Sequence, residues 1–161
     1  MTDRQVDVAD LVDRMQSASL TLAVAESLTG GLIMARLTEV PGVGDVLRGG
    51  AVVYATDTKA SELGVDADLL DARGPIDGDV AIEMAKGVRE RWQADIGLAT
   101  TGVAGPDRQD GHEVGEVFVA ISGPSGDRVE RPEIDSGATR SHIRQATVDA
   151  ALALLDSVVR R

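Results

Sequence analysis

Apolar residues recur at helical spacing in the first part of the chain. Val8, Leu11, Val12 and Met15 fall at i, i+3, i+4 and i+7, which predicts an amphipathic helix over residues 6–18. The pattern then changes. Residues 20–25 form a short apolar run, the signature of a buried strand. The polar, glycine-rich turn A-E-S-L-T-G-G (residues 25–31) leads into LIMARLTEV, a second helix closed by Pro41-Gly42. Residues 47–55 predict a second strand containing a glycine pair. Residues 57–72 read as two short helical pieces around Gly64-Val65. A long amphipathic helix follows, with Asp77 or Asp79 as its N-cap. ADIGLATTGVAGP predicts a third buried strand that empties into a glycine-rich loop, and the polar stretch DRQDGHE after it reads as mobile. VGEVFVAIS and DRVERPEID predict a hairpin around residues 123–126. Residues 138–159 predict a final helix, with Ile143, Ala146, Ala150 and Leu154 near one face.

Strands mixed with helices in this order predict an α/β layered sandwich, its sheet mostly parallel with one or more antiparallel strands. Repeats, low-complexity tracts and long linkers are absent, so residues 1–161 read as a single domain. No run approaches the ~20 apolar residues of a membrane span. The opening MTDRQVDVADLV has the pattern of neither a signal nor a transit peptide, so a cytoplasmic protein is expected.

Composition narrows the chemistry. With no cysteine and only two well-separated histidines, His112 and His142, thiolate catalysis is excluded and a histidine-rich metal site is not expected. Any reaction must use hydroxyls, carboxylates, lysine, arginine or backbone groups. The formal net charge of −11 argues against a nucleic-acid partner, which needs a positive footprint. An anionic small molecule would need a local cationic pocket.

Four segments are candidates for that chemistry. Ser27, at the end of the first strand, lies where open α/β sheets place ligands, and Gly30 and Gly31 let backbone approach a substrate. The alternative is that Ser27 or Thr29 only caps the next helix. Tyr54 and Lys59 follow the second strand; a lysine of lowered pKa can deprotonate a serine, or the two can be ordinary surface residues. Thr101, Gly102 and Gly105 belong to T-T-G-V-A-G-P, a loop able to present amides and hydroxyls at the same sheet edge, or simply a tight turn. Arg140 and Arg144, one helical turn apart, can hold a phosphate or pair with surface acids.

These residues together resemble the CinA C-terminal domain family, which includes stand-alone nicotinamide mononucleotide deamidases. A-E-S-L-T-G-G resembles the family's A-E-S-C-T-G-G, R-G-G-A-V-V-Y-x-x-x-x-K its G-G-x-x-x-Y-S-N-x-x-K, T-G-V-A-G-P its T-G-I-A-G-P, and V-G-E-V-F-V-A its V-G-T-V-W-I-A. The resemblance implies a three-layer α/β/α sandwich of the anticodon-binding-domain type. It also implies hydrolysis of nicotinamide mononucleotide to nicotinic acid mononucleotide and ammonia, with no cofactor and no metal. Ser27 then matches the nucleophile, Lys59 its general base and Tyr54 a supporting residue. Thr29, Gly30 and Gly31 are expected to bind substrate, with backbone N–H groups at the start of the next helix holding an oxyanion. Thr101 and the Gly102–Gly105 loop match the substrate-holding loop, and Arg144 a phosphate contact. Arg140 has no clear match. Leu28, Ala55-Thr56 and Gly74-Pro75-Ile76-Asp77 depart from the family pattern. They keep open a nucleotide-binding module without turnover, or hydrolysis of a different amide. These residues contain no counterpart of the larger N-terminal domain of full-length CinA proteins, whose activity is not carried over. Short exposed hydrophobic strands make a homo-oligomer the expected state.

Overall fold

The computed structural model describes residues 5–161. Its elements run α1 (Val8–Ser17), β1 (Leu22–Glu26), α2 (Leu32–Thr38), β2 (Leu47–Val52), α3 (Thr56–Leu63), α4 (Ala67–Arg73), α5 (Gly78–Arg91), β3 (Ile96–Gly102), β4 (Val117–Gly123), β5 (Gly126–Glu130) and α6 (Arg140–Val159). A 3-10 turn, Val43–Asp45, precedes β2.

The five strands form one mixed sheet in the order β2-β1-β3-β4-β5. β1 is parallel to both β2 and β3, whereas β4 runs antiparallel to β3 and to β5. Leu22 and Val24 point to one face of the sheet, where α1, α2 and α6 cover them. Ala23 and Ala25 point to the other, under α3, α4 and α5. The expected three-layer α/β/α sandwich therefore holds, with bulky β1 side chains on one face and small ones on the other. The small face brings α5 close: a Cβ on Gly97 would stand 1.9 Å from the Ala85 carbonyl oxygen. None of the described helices is long and apolar enough to cross a membrane.

Several local expectations need correction. β5 ends at Glu130, before Pro132, whose ring nitrogen has no proton to extend a ladder. β2 ends at Val52, so Tyr54 lies beyond the strand. On α6 the buried stripe is Ile143, Thr147, Val148, Ala151, Leu152, Leu154 and Leu155, leaving Ala146 and Ala150 only half-buried. The polar stretch after β3 is a closed hairpin. Gln109 and His112 exchange both backbone hydrogen bonds across Asp110-Gly111, whose φ values of +50° and +80° suit a two-residue primed turn.

The parallel register places the carboxyl ends of β1, β2 and β3 at one edge of the sheet. Ser27 leaves β1 there, Lys59 follows β2 on the first turn of α3, and Thr101 lies at the end of β3.

Candidate active site

Alternation along β1 sends Ser27 toward the α3 side, as it does Ala23 and Ala25. Lys59 on α3 meets it, Nζ 3.3 Å from Ser27 Oγ. Both residues are buried, and the lysine is 1% exposed. Its amine is satisfied by the Val53 carbonyl oxygen at 2.8 Å and the serine hydroxyl, not by a carboxylate. Burial without a compensating charge disfavours the ammonium form and pulls the Lys59 pKa down to about 8. At pH 7 about a tenth of the side chain is then a neutral amine, far more than an ordinary lysine offers. The Val53 carbonyl holds one N–H, which leaves the nitrogen lone pair available to a serine proton.

Ser27 and Lys59 open into a cavity of about 70 Å³ with walls from Leu28, Ile76, Thr101 and the Gly102–Gly105 loop. Thr101 Oγ1 donates to the Pro75 carbonyl oxygen at 2.6 Å and so ties the α4–α5 connection to the cleft. Tyr54, Asp107, Gln109 and Arg140 also line it. Arg140 bonds the Gly105 carbonyl oxygen through Nη1 and the Tyr54 hydroxyl through Nη2, the latter at 3.0 Å. Tyr54 is 61% exposed, and its hydroxyl is engaged by Arg140 rather than by Ser27 or Lys59. The expected support of the Ser–Lys pair by Tyr54 gives way to a Tyr54–Arg140 contact across the cleft. A wider depression of about 700 Å³, lined by residues 113–116 and 131–136, contains none of the expected site residues.

The serine turn is braced from behind. Glu26, fully buried, accepts the Ile33 N–H through Oε1 at 3.0 Å and the Met34 N–H through Oε2 at 3.2 Å. This carboxylate caps α2, whose N-cap Gly31 makes no side-chain cap. The capping alternative for Ser27 and Thr29 is thereby excluded. Those two N–H groups, occupied by Glu26, are also not the oxyanion donors expected at the start of this helix. Thr29 is fully buried, its hydroxyl 2.9 Å from that of Thr100. Gly30 and Gly31 take φ of +58° and +102°, values that favour glycine, and neither lines the cleft. Arg144 donates from Nε to the Leu28 carbonyl oxygen at 2.9 Å and from Nη2 to that of Thr29 at 3.3 Å. Its guanidinium holds the turn and does not line the cleft, whereas that of Arg140 does.

Residues 5–159 match the family described as CinA C-terminal domain. The chain belongs to the CinA C-terminal domain family. It is 49% identical over 137 residues to a CinA-like protein of Frankia casuarinae, covering 85% of this chain and 31% of that protein. A putative competence-damage inducible protein of Desulforamulus reducens is 49% identical over 135 residues, 84% of this chain and 32% of that protein. The chain thus spans about a third of the length of these curated relatives. Among solved structures it is similar to the competence/damage inducible protein CihA from Agrobacterium tumefaciens, at TM-score 0.83 and 34% identity over 97% of both chains. It is also similar to a CinA superfamily protein from Escherichia coli, at TM-score 0.88 and 28% identity over 96% of this chain and 91% of that one.

The departures from the CinA pattern have local explanations. Leu28 is 3% exposed and packs with Ala104, Val117 and Ile143, an apolar site that needs no thiol. Ala55 is the N-cap of α3 without a side-chain bond, and Thr58 Oγ1 instead donates to its carbonyl oxygen at 2.6 Å. Asp77 caps α5 by accepting from the Asp79 and Val80 N–H groups, which a serine at that position can also do. Pro75 and Ile76 line the cleft from the 74–77 segment that departs from the family pattern. Glu26, Asp107 and Gln109 were not expected at the site; Glu26 carried a weak signal as a charged residue ending an apolar run, and the other two none.

Proposed function

We propose that this CinA-family chain is an amidohydrolase that deamidates nicotinamide mononucleotide through an acyl-enzyme on Ser27. The observation that carries this reading is the buried Lys59 amine 3.3 Å from the Ser27 hydroxyl, with its pKa lowered to about 8. The family resemblance supplies the substrate.

In this reading Ser27 Oγ attacks the carboxamide carbon while its proton passes to the Lys59 amine. The tetrahedral oxyanion needs donors that are free before the reaction. The Leu28 N–H, directly after the nucleophile, donates to no backbone acceptor among the described residues, and neither does that of Gly105 on the opposite wall. The C–N bond then breaks and the Lys59 proton leaves with ammonia. Water attacks the acyl-serine, Lys59 takes its proton, and the carboxylate product is released as the proton returns to Ser27.

The cavity of about 70 Å³ is far below the ~300 Å³ of a typical ligand pocket. It takes the carboxamide end, and the ribose phosphate extends over the rim toward Arg140, whose guanidinium can fork onto a phosphate. The test is ammonia release from nicotinamide mononucleotide by the wild type, Ser27→Ala and Lys59→Ala. Release by the wild type and its loss in both variants is expected. Undiminished release in either variant overturns the mechanism. Wild-type binding without release indicates a nucleotide-binding module instead.

A further inference from the structure

The rim of the cleft holds charges of both signs that do not pair with each other. Arg140 is held by the Gly105 carbonyl oxygen and the Tyr54 hydroxyl. Arg108, the neighbour of Asp107, is drawn away to Glu113 at 2.9 Å and to the Gly111 carbonyl oxygen at 3.4 Å. Lys59 is bonded to Val53 and Ser27 and makes no ion pair with a carboxylate among the described residues. Asp107 therefore lines the cleft as a carboxylate uncommitted to any cation among the described residues. Its backbone lies between Gly105, at φ +84° beside Val114, and the Gln109–His112 hairpin.

An uncommitted carboxylate in a cleft that must admit an anion needs an explanation, because it repels a phosphate. The chemistry of a pyridine nucleotide provides one. When the carboxamide sits at Ser27, the positively charged ring nitrogen lies meta to it, nearer the rim, and the phosphate lies farther out. We infer that Asp107 is a specificity-determining residue that selects a cationic ring, so that the Asp107–Arg140 rim reads a ligand with a cationic ring and an anionic tail. The inference rests on the amidohydrolase reading for the orientation of the ligand. It separates N-substituted pyridinium amides from neutral aromatic amides of the same shape. Because Asp107 is solvent-exposed, its contribution is modest and falls as salt screens it.

The test is binding, which does not depend on turnover. Calorimetry with the full chain carrying Ser27→Ala compares nicotinamide mononucleotide with benzamide mononucleotide, its neutral-ring isostere, at low and high salt. The expected result is a preference of about 3- to 10-fold for the cationic ring at low salt, which shrinks at high salt. Adding Asp107→Asn is expected to abolish that preference without weakening binding of the neutral ligand, whose phosphate the carboxylate no longer repels. Equal affinities before the Asp107 change, or a change that weakens both ligands alike, overturns the inference. So does a lack of binding by either ligand. Failure of the wild type to release ammonia would remove the hydrolase reading and leave this comparison standing.

Discussion

Glu26 and Ser27 are adjacent in sequence and face opposite sides of the sheet. The carboxylate reaches back to cap α2 at Ile33 and Met34, while the hydroxyl meets Lys59 on α3. One dipeptide thus anchors the turn on one face and presents a nucleophile on the other. Replacing Glu26 by Ala leaves one buried N–H group, that of Ile33, and one half-buried, that of Met34, without their acceptor, at a cost of about 1–3 kcal/mol for a fully buried one and less for the other. Denaturant unfolding of Glu26→Ala should show that loss. Glu26→Gln, which keeps one acceptor oxygen, should recover part of it. Equal stability of Glu26→Ala and wild type would refute the capping role.

Lys59 makes stability depend on pH in a direction that can be worked out. Its pKa is about 8 in the folded chain against 10.5 for the ordinary side chain, so between these values the unfolded chain binds more protons than the folded one. Stability therefore rises with pH across that window, and below pH 8 the buried ammonium is a net cost. At about 1.4 kcal/mol per unit, that cost is on the order of 3 kcal/mol. Lys59→Met should be more stable than wild type near neutral pH, with the difference shrinking toward pH 10. If Lys59 is the general base, kcat/KM of the wild type should also rise with pH, pass half its maximum at about 8 and level off above that. A pH-independent stability difference would contradict the buried-ammonium account.

Tyr54 and Arg140 should behave as a rim pair. Removing the Tyr54 hydroxyl breaks one bond to Arg140, worth about 1 kcal/mol. Tyr54→Phe should therefore change KM by no more than about tenfold and leave kcat nearly intact. Arg140→Ala should raise KM for the phosphorylated substrate more than for the corresponding nucleoside. A loss of kcat beyond about a hundredfold in Tyr54→Phe would instead assign the tyrosine to the proton transfer.

Arg144 should show the opposite division. It donates to the Leu28 and Thr29 carbonyl oxygens behind the nucleophile, so its removal loosens the turn without changing the rim. Steady-state kinetics of Arg144→Ala should show a fall in kcat, with KM nearly unchanged and stability lower by about 1.5–3 kcal/mol. A rise in KM confined to phosphorylated ligands would return Arg144 to the role of phosphate contact.

The sheet-edge placement of Ser27, Lys59 and Thr101 was legible because each follows or ends a buried apolar run, and parallel strands gather such ends together. Asp77 was legible as a cap because its acceptor lies two and three residues from the N–H groups it serves. Glu26 was not, because it caps a helix that starts six residues later, across a turn whose shape only the tertiary fold sets. Arg140 and Arg144 share one helix face, and their different duties depend on how α6 packs against the serine turn. The hairpin at Asp110-Gly111 had a readable turn signal, but the surrounding polar residues obscured it.

The central claim is that Ser27 carries the acyl group during turnover. Acid-quenching the wild type during reaction with nicotinamide mononucleotide, followed by mass measurement of the peptide containing Ser27, tests it directly. The account predicts an adduct with the mass of the nicotinic acid mononucleotide acyl group, ribose phosphate included, on that peptide, present during turnover and absent in Ser27→Ala. Steady ammonia release by the Ser27→Ala protein, or an adduct on another residue, would contradict it.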